Sequence, residues 1–396
     1  MHFKDLICDE RILRTLETLG FQTPTSIQTQ AIPLIMEGGD LCATSQTGSG
    51  KTAAFLLPTL VRLIKRQGHK NGPQVLILAP TRELAIQLNE EITKLSRGLN
   101  LTTVTLYGGV PYPKQYRQLS KPFDVLIATP GRLIDHMEQK KVNLKNIEMF
   151  ILDEADRMLD MGFIGPVKKI AEGMPSSRQT LMFSATFGKN VRKLAASLLQ
   201  NPKEITNASV ENKSAHIEQL FYQAEGLSEK QKRLEKILTE ETIEQAIIFS
   251  STKIQTQRIA DNLREKGLSA AALHGDMNQR QRTRTIEQFR TSKIQFLVAT
   301  DVASRGIDVL SISHVINFDL PNILDDYIHR IGRTGRAGNK GKAFSFFSQK
   351  DHQIRKEIEK FSGVKIDSVQ MPKKRPHKTS RRPFRQFKKR FAHKKN

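Results

Sequence analysis

Two short stretches hold residues that can do chemistry together. Ser45-Gln46-Thr47-Gly48-Ser49-Gly50-Lys51-Thr52 is a glycine-rich loop ending in Gly-Lys-Thr. The backbone N–H groups of such a loop wrap phosphate oxygens, while Lys51 reaches the β- and γ-phosphates and the Thr52 hydroxyl meets Mg²⁺. Further along, Asp153-Glu154-Ala155-Asp156 follows the apolar run Met149-Phe150-Ile151-Leu152. Asp153 at a strand end can hold the hydrated metal ion, and Glu154 can orient or deprotonate an attacking water. The chemistry implied is hydrolysis of a nucleoside triphosphate.

The elements that must position these residues are legible around them. Leu41-Cys42-Ala43 reads as a short strand and Ala53 to Leu57 as a helix, the strand-loop-helix setting a phosphate loop requires. Ser45 stands where the general pattern has Gly, yet the phosphate-facing Gly48 and Gly50 remain. Continuous apolar runs recur at 41–43, 75–78, 104–106, 125–127, 150–152 and 181–183, then at 246–249, 271–273, 296–298, 315–318 and 344–347. Runs without alternation suit strands buried on both faces of a parallel sheet. Between the later runs lie helix-like segments such as Gln255 to Lys266 and Arg280 to Phe289. Two α/β domains follow, each a doubly wound parallel sheet.

In such sheets ligands bind beyond the carboxyl ends of the strands. Those ends deliver Pro80 to Leu84, Tyr107-Gly108-Gly109, Thr129 to Arg132, Asp153-Glu154, Ser184-Ala185-Thr186, Ser250 to Thr252, His274-Gly275-Asp276 and Thr300-Asp301. Singly, each reads as an ordinary helix cap or turn; aligned on one edge of two sheets, they read as a ligand surface. The second half has no Gly-Lys-Thr loop. It offers Arg333 and Arg336 on a Gly-broken segment instead, placed to reach a phosphate across a domain gap as arginine fingers do.

A formal charge of +23 points to a polyanionic partner. Residues 371–396 hold twelve Lys and Arg and no acid, and the other 370 residues account for +11. In this tail Phe384, Phe387 and Phe391 interleave with cations, which suits phosphate contact and base stacking on single strands; the composition predicts disorder. Cys8 and Cys42 form no Cys-x-x-Cys pair and the ten histidines show no metal-ligand spacing, so a reducing cytoplasm without structural zinc is expected. No apolar run approaches the roughly 18 residues that span a bilayer, so no membrane association is expected.

With these residues assembled, the chain resembles the DEAD-box ATP-dependent RNA helicases over about residues 1 to 350. Gly20 to Gln28 with a lone Phe3 upstream looks like the family's Q motif, in which Gln28 and Phe21 would read adenine. The resemblance implies two RecA-like domains in tandem, at 1–205 and 217–365, a linker at 206–216 and a basic disordered tail at 366–396. It implies ATP and Mg²⁺ as cofactors, with Gly306 and Asp308 approaching the nucleotide and Arg333 and Arg336 the γ-phosphate. Ser184, Thr186 and His329 would couple hydrolysis to strand separation. Arg82, Gly109, Thr129, Arg132, Ser250, Arg290, Thr300 and Asp301 would face RNA. The function implied is local melting of short RNA duplexes with little sequence specificity, with association with ribonucleoproteins or ribosome precursors. Within the family, the chain looks like the bacterial RhlE-like group. A non-enzymatic RNA-binding or annealing protein and a DNA translocase on the same core remain as alternatives.

Overall fold

The structure, a computed structural model, describes residues 1–45, 49–65, 72–206, 217–304, 312–335 and 340–364. Gln46, Thr47, Gly48, Gly306, Asp308, Arg336, the expected linker beyond Thr206 and the basic tail lie outside the described residues.

The first sheet is built from β1 (Leu41–Thr44), β2 (Val75–Leu78), β3 (Thr103–Leu106), β4 (Val125–Ala128), β5 (Met149–Leu152), β6 (Gln179–Ser184) and β7 (Lys203–Thr206). The second holds β8 (Ile217–Gln223), β9 (Ala246–Phe249), β10 (Ala270–Leu273), β11 (Phe296–Ala299), β12 (His314–Asn317) and β13 (Gly341–Phe347). The orders are β3-β4-β2-β5-β6-β1-β7 and β10-β11-β9-β12-β13-β8. Every pairing is parallel, as expected for two doubly wound α/β lobes in tandem.

The continuous apolar runs have a direct cause. In the first sheet Leu41, Ala43, Val75, Ile77, Leu181 and Phe183 join the core on one face. Their neighbours Cys42, Leu76, Leu78 and Met182 join the core on the other, so the central residues of these strands are apolar on both faces and polar residues such as Thr44, Gln179 and Ser184 stand at strand ends. Two strands escaped this reading. β7 and β8 lie at sheet edges; β7 buries only Ile205, and β8 buries Ile217 and Phe221 with Glu218 exposed between them. Their polarity is that of strands half turned to water.

Helix signals act locally. The helices Lys253–Glu265 and Gln279–Arg290 start where Thr252 and Asn278 accept the N–H of Gln255 and Gln281. Among the described residues no helix is long and apolar enough to cross a membrane. For function, the decisive feature is the run β5-β6-β1, because it sets Asp153 to Asp156, Ser184 to Thr186 and Ser45 side by side at one sheet edge.

Candidate nucleotide and nucleic-acid site

The helix Ser26–Glu37 opens with a reciprocal cap in which Gln28 Oε1 accepts the Thr25 N–H at 2.9 Å. Gln28 is 1% exposed, and its Nε2 donates to the Gly50 carbonyl at 3.1 Å. This amide ties the helix Ser26–Glu37 to Gly50 at the end of the phosphate loop. Gly50 has φ +91°, and a Cβ there would stand 2.5 Å from Gln28 Nε2, so the position admits only glycine without rearrangement. The next residue opens the helix Lys51–Lys65, whose N-terminus presents N–H groups and positive dipole to an anion. Lys51 is 6% exposed, and its Nζ makes no hydrogen bond among the described residues. A buried ammonium left bare is strongly unfavourable; a phosphate oxygen would remove the penalty. Phe21, half-buried, packs edge-on against Phe3 with centroids 6.3 Å apart.

The acidic residues leave the end of β5. Burial pushes the Asp153 carboxyl up to about 6, with the Lys51 charge pulling the other way. Glu154 has φ 54° and ψ 54°, a left-handed conformation that a glutamate keeps only when its surroundings impose it. The strained turn swings the chain from β5 into the helix Ala155–Asp160. Asp156 Oδ2 accepts the N–H groups of Ala185 and Thr186, both at 3.0 Å, and lies 3.5 Å from His329 Nε2 of the second lobe. Burial opposes its ionised form; His329, Lys51 and Arg157 outweigh that and hold the carboxyl well below the usual carboxylate range. The His329 contact is long, and neither ring nitrogen has a well-directed hydrogen-bond partner among the described residues. Ser184 closes the turn by donating to the Thr186 carbonyl at 2.6 Å.

Further contacts cross between the lobes. Arg157 Nη1 donates to Asp326 Oδ1 at 2.9 Å, Arg282 Nη2 to Glu83 Oε1 at 2.9 Å, and Arg82 Nη1 to Gln279 Oε1 at 3.1 Å. The helix Leu324–Ile331 that carries His329 is held in place by Arg330. Its guanidinium forks onto both oxygens of Asp301 at 2.6 and 2.7 Å and donates to the Asp319 carbonyl at 2.6 Å. Arg333, buried, follows two residues after this helix.

On the nucleic-acid side, Arg82 lies against the Gly108-Gly109 turn. Gly109 has φ +85°, and a Cβ there would meet Arg82 Nη1 at 2.5 Å. Thr129 is buried at the N-cap of the helix Pro130–Glu138. Arg132 donates to the Val110 carbonyl at 2.9 Å and to Gln115 Oε1 at 2.8 Å, and stands 4.2 Å over the Tyr112 ring.

Residues 25–194 match the DEAD/DEAH box helicase family and residues 229–338 the helicase conserved C-terminal domain. DEAD-box ATP-dependent RNA helicase 20 of Arabidopsis thaliana is 41% identical over 360 residues, 90% of this chain and 72% of that protein. The chain belongs to the DEAD-box ATP-dependent RNA helicase family. DEAD-box ATP-dependent RNA helicase 14 of the same plant is 46% identical over 348 residues, 86% of this chain; the chain spans only 55% of that relative's length. Among solved structures, S. cerevisiae Dbp5 bound to RNA and ADP BeF3 superposes with a TM-score of 0.82 at 33% identity, covering 92% of this chain and 94% of that one.

In this DEAD-box chain the structure gathers Lys51, Asp153, Glu154, Ser184, Thr186 and His329 around Asp156. Sequence reasoning quoted Asp156 and gave it no role, since its partners come from β6 and the second lobe. Two expected RNA contacts differ. Ser250, just past β9, is 0% exposed with its hydroxyl on Asp319 Oδ2 at 3.3 Å, and it presents no surface here. Asp301 spends both oxygens on Arg330 and so positions a helix. Thr300 is half-buried, and the Arg290 side chain is exposed. The donor set fits Mg²⁺: among the described residues no cluster of three or more His, Cys, Asp or Glu could hold a metal alone, whereas Mg²⁺ typically takes one or two carboxylates plus phosphate oxygens. Asp153, buried and resisting ionisation, gains from a cation beside it.

Proposed function

We propose that this chain is an RNA-dependent ATPase that separates the strands of short RNA duplexes by closing its two lobes around ATP and RNA. The observation that carries this reading is Lys51 Nζ, buried beside Asp153 without a hydrogen-bond partner among the described residues. Asp153 and Thr52 would hold Mg²⁺, which when bound draws charge from the β- and γ-phosphates. Lys51 neutralises the same oxygens, and Glu154, in its strained backbone conformation, aims its carboxylate at the attacking water. Arg333 comes from the other lobe, so the charge of the transition state is met only when the lobes are together. Asp156 connects that event to the Ser184–Thr186 turn and to His329, and Arg82, Gly109, Thr129 and Arg132 offer the face along which RNA would lie.

The test is ATP turnover titrated with structured RNA and with DNA of the same sequence. Stimulation by RNA, with Lys51→Ala and Glu154→Gln inactive and Arg333→Ala slowed roughly 10³ to 10⁵-fold, supports the proposal. Equal stimulation by DNA would favour the translocase reading, and no stimulated turnover a binding protein. Within the same proposal we place the chain near the bacterial RhlE-like group, on the strength of its basic, Phe-interleaved segment from Lys373. We also place it in the cytoplasm, where the free thiols of Cys8 and Cys42 stay reduced. Retention of full RNA affinity by a chain ending at Gln370 would count against the role of that segment.

A further inference from the structure

Gln115 is a neutral residue outside every motif discussed so far, yet it is 1% exposed and sits between two parts of the candidate RNA face. Its Nε2 donates to the carbonyl of Tyr107, the residue that opens the Gly108-Gly109 turn, at 3.0 Å. Its Oε1 receives Arg132 Nη1 at 2.8 Å and faces His136 Nε2 at 2.9 Å. Arginine can only donate, so the amide oxygen must face Arg132 and the nitrogen must face Tyr107. His136 then presents Nε2–H to the same oxygen, and its bare Nδ1 has no partner among the described residues. His136 is fully buried, with Tyr112 and Tyr116 packed on it at 5.5 and 5.6 Å between centroids.

We infer that Gln115 is a positioning residue for RNA binding: one buried amide joins the Gly108-Gly109 turn to the Arg132 guanidinium, so that the two contact the phosphate backbone as one rigid unit. The chemistry favours this over plain core filling. A long cationic side chain loses much rotamer freedom when it binds a phosphate; Arg132 has that freedom removed beforehand by Gln115, the Val110 carbonyl and the Tyr112 ring. The Gly109 end of the same unit packs against Arg82. A register between neighbouring phosphates is thus set by backbone and side chain together.

The inference rests on the reading that Arg132 meets an RNA phosphate, and the experiment separates the two. The dependence of single-stranded RNA affinity on salt is measured for the full chain with a non-hydrolysable ATP analogue. Each phosphate contact contributes roughly 0.7 to the slope of log affinity against log salt, which is about fivefold in affinity at 0.1 M salt. Arg132→Ala should reduce the slope by about that amount; an unchanged slope overturns the underlying reading. Gln115→Leu and Gln115→Asn, the second retaining an amide drawn back by about 1.5 Å, should each lose the same increment while binding the ATP analogue alone as the parent does. His136→Leu, which disturbs the same core without touching Arg132, should lower the melting temperature and keep the slope. A parent slope in either folded Gln115 variant, beside a reduced slope in Arg132→Ala, overturns the inference, as does loss of slope in His136→Leu.

Discussion

Gly50→Ala is the perturbation whose cost is most directly set by the geometry. The new Cβ would lie 2.5 Å from Gln28 Nε2, so the Gln28 amide must move and give up its hydrogen bonds to the Gly50 carbonyl and the Thr25 N–H. At about 1 kcal/mol net for each, that is about 2 kcal/mol. The backbone at φ +91° adds about 2 kcal/mol for a residue with a Cβ. Together they make about 4 kcal/mol. On a Gln28→Ala background the hydrogen bonds are already gone and the obstructing amide is absent, so the backbone strain of about 2 kcal/mol remains, with a milder 3.0 Å approach to Thr25 Oγ1 that is present in both backgrounds and cancels in the cycle. Urea unfolding of the four proteins of this double-mutant cycle reads the difference. The expected coupling is about 2 kcal/mol, equivalent to about 4–8 °C in melting temperature for a lobe of this size. Additivity of the two substitutions within about 0.5 kcal/mol would refute the reasoning, because it would mean that the amide does not press on the phosphate loop.

Glu154→Gly should abolish ATP turnover and yet unfold less readily than Glu154→Ala by about 1 kcal/mol, since glycine alone accepts φ 54° without penalty; thermal melts compare the pair. Arg157→Ala removes a charged hydrogen bond at 2.9 Å between side chains only 7% and 15% exposed, worth about 1.5–3 kcal/mol. Closure of the lobes, followed by energy transfer between labels with RNA and an ATP analogue present, should weaken roughly 10- to 150-fold on that basis. Adding Asp326→Asn should then change little. Burial lowers the pKa of both His136 and His314 from 6.5. Below that value the unfolded chain takes up protons that the folded chain refuses, so stability is intact above 6.5 and falls as the pH drops through it. Asp153, raised to about 6, contributes in the opposite sense as the pH falls through that value. The decline is therefore read as the difference between the parent and His136→Gln in melts from about pH 7.5 to pH 5.5, the variant losing less stability over that range.

The legible parts of the fold share one cause. β2, β4 and β5 are buried on both faces, so their burial forced unbroken apolar runs; β7 and β8 have an edge in water, and their mixed composition concealed them. The same division runs through the site. Gly50, Lys51, Asp153 and Glu154 stand in short local patterns whose spacing is itself the chemistry. Asp156, Gln115 and Arg330 act through partners far away in sequence: Asp156 with Thr186 and His329, Gln115 with Tyr107 and Arg132, Arg330 with Asp301 and Asn317. Ser250 shows the same division, since its burial against Asp319, 69 residues away, is decided by the fold and not by its place after β9.

Sequence alone determined the chemistry: a phosphate loop, a strand-end acid pair and a basic chain require only local spacing and charge, because each works through groups within a few residues of one another. Tertiary structure decided how the chemistry is controlled. Whether a carboxylate aims at water, at a neighbouring loop or across to the other lobe depends on sheet order and on how the lobes meet, and those arise from burial summed over the whole chain.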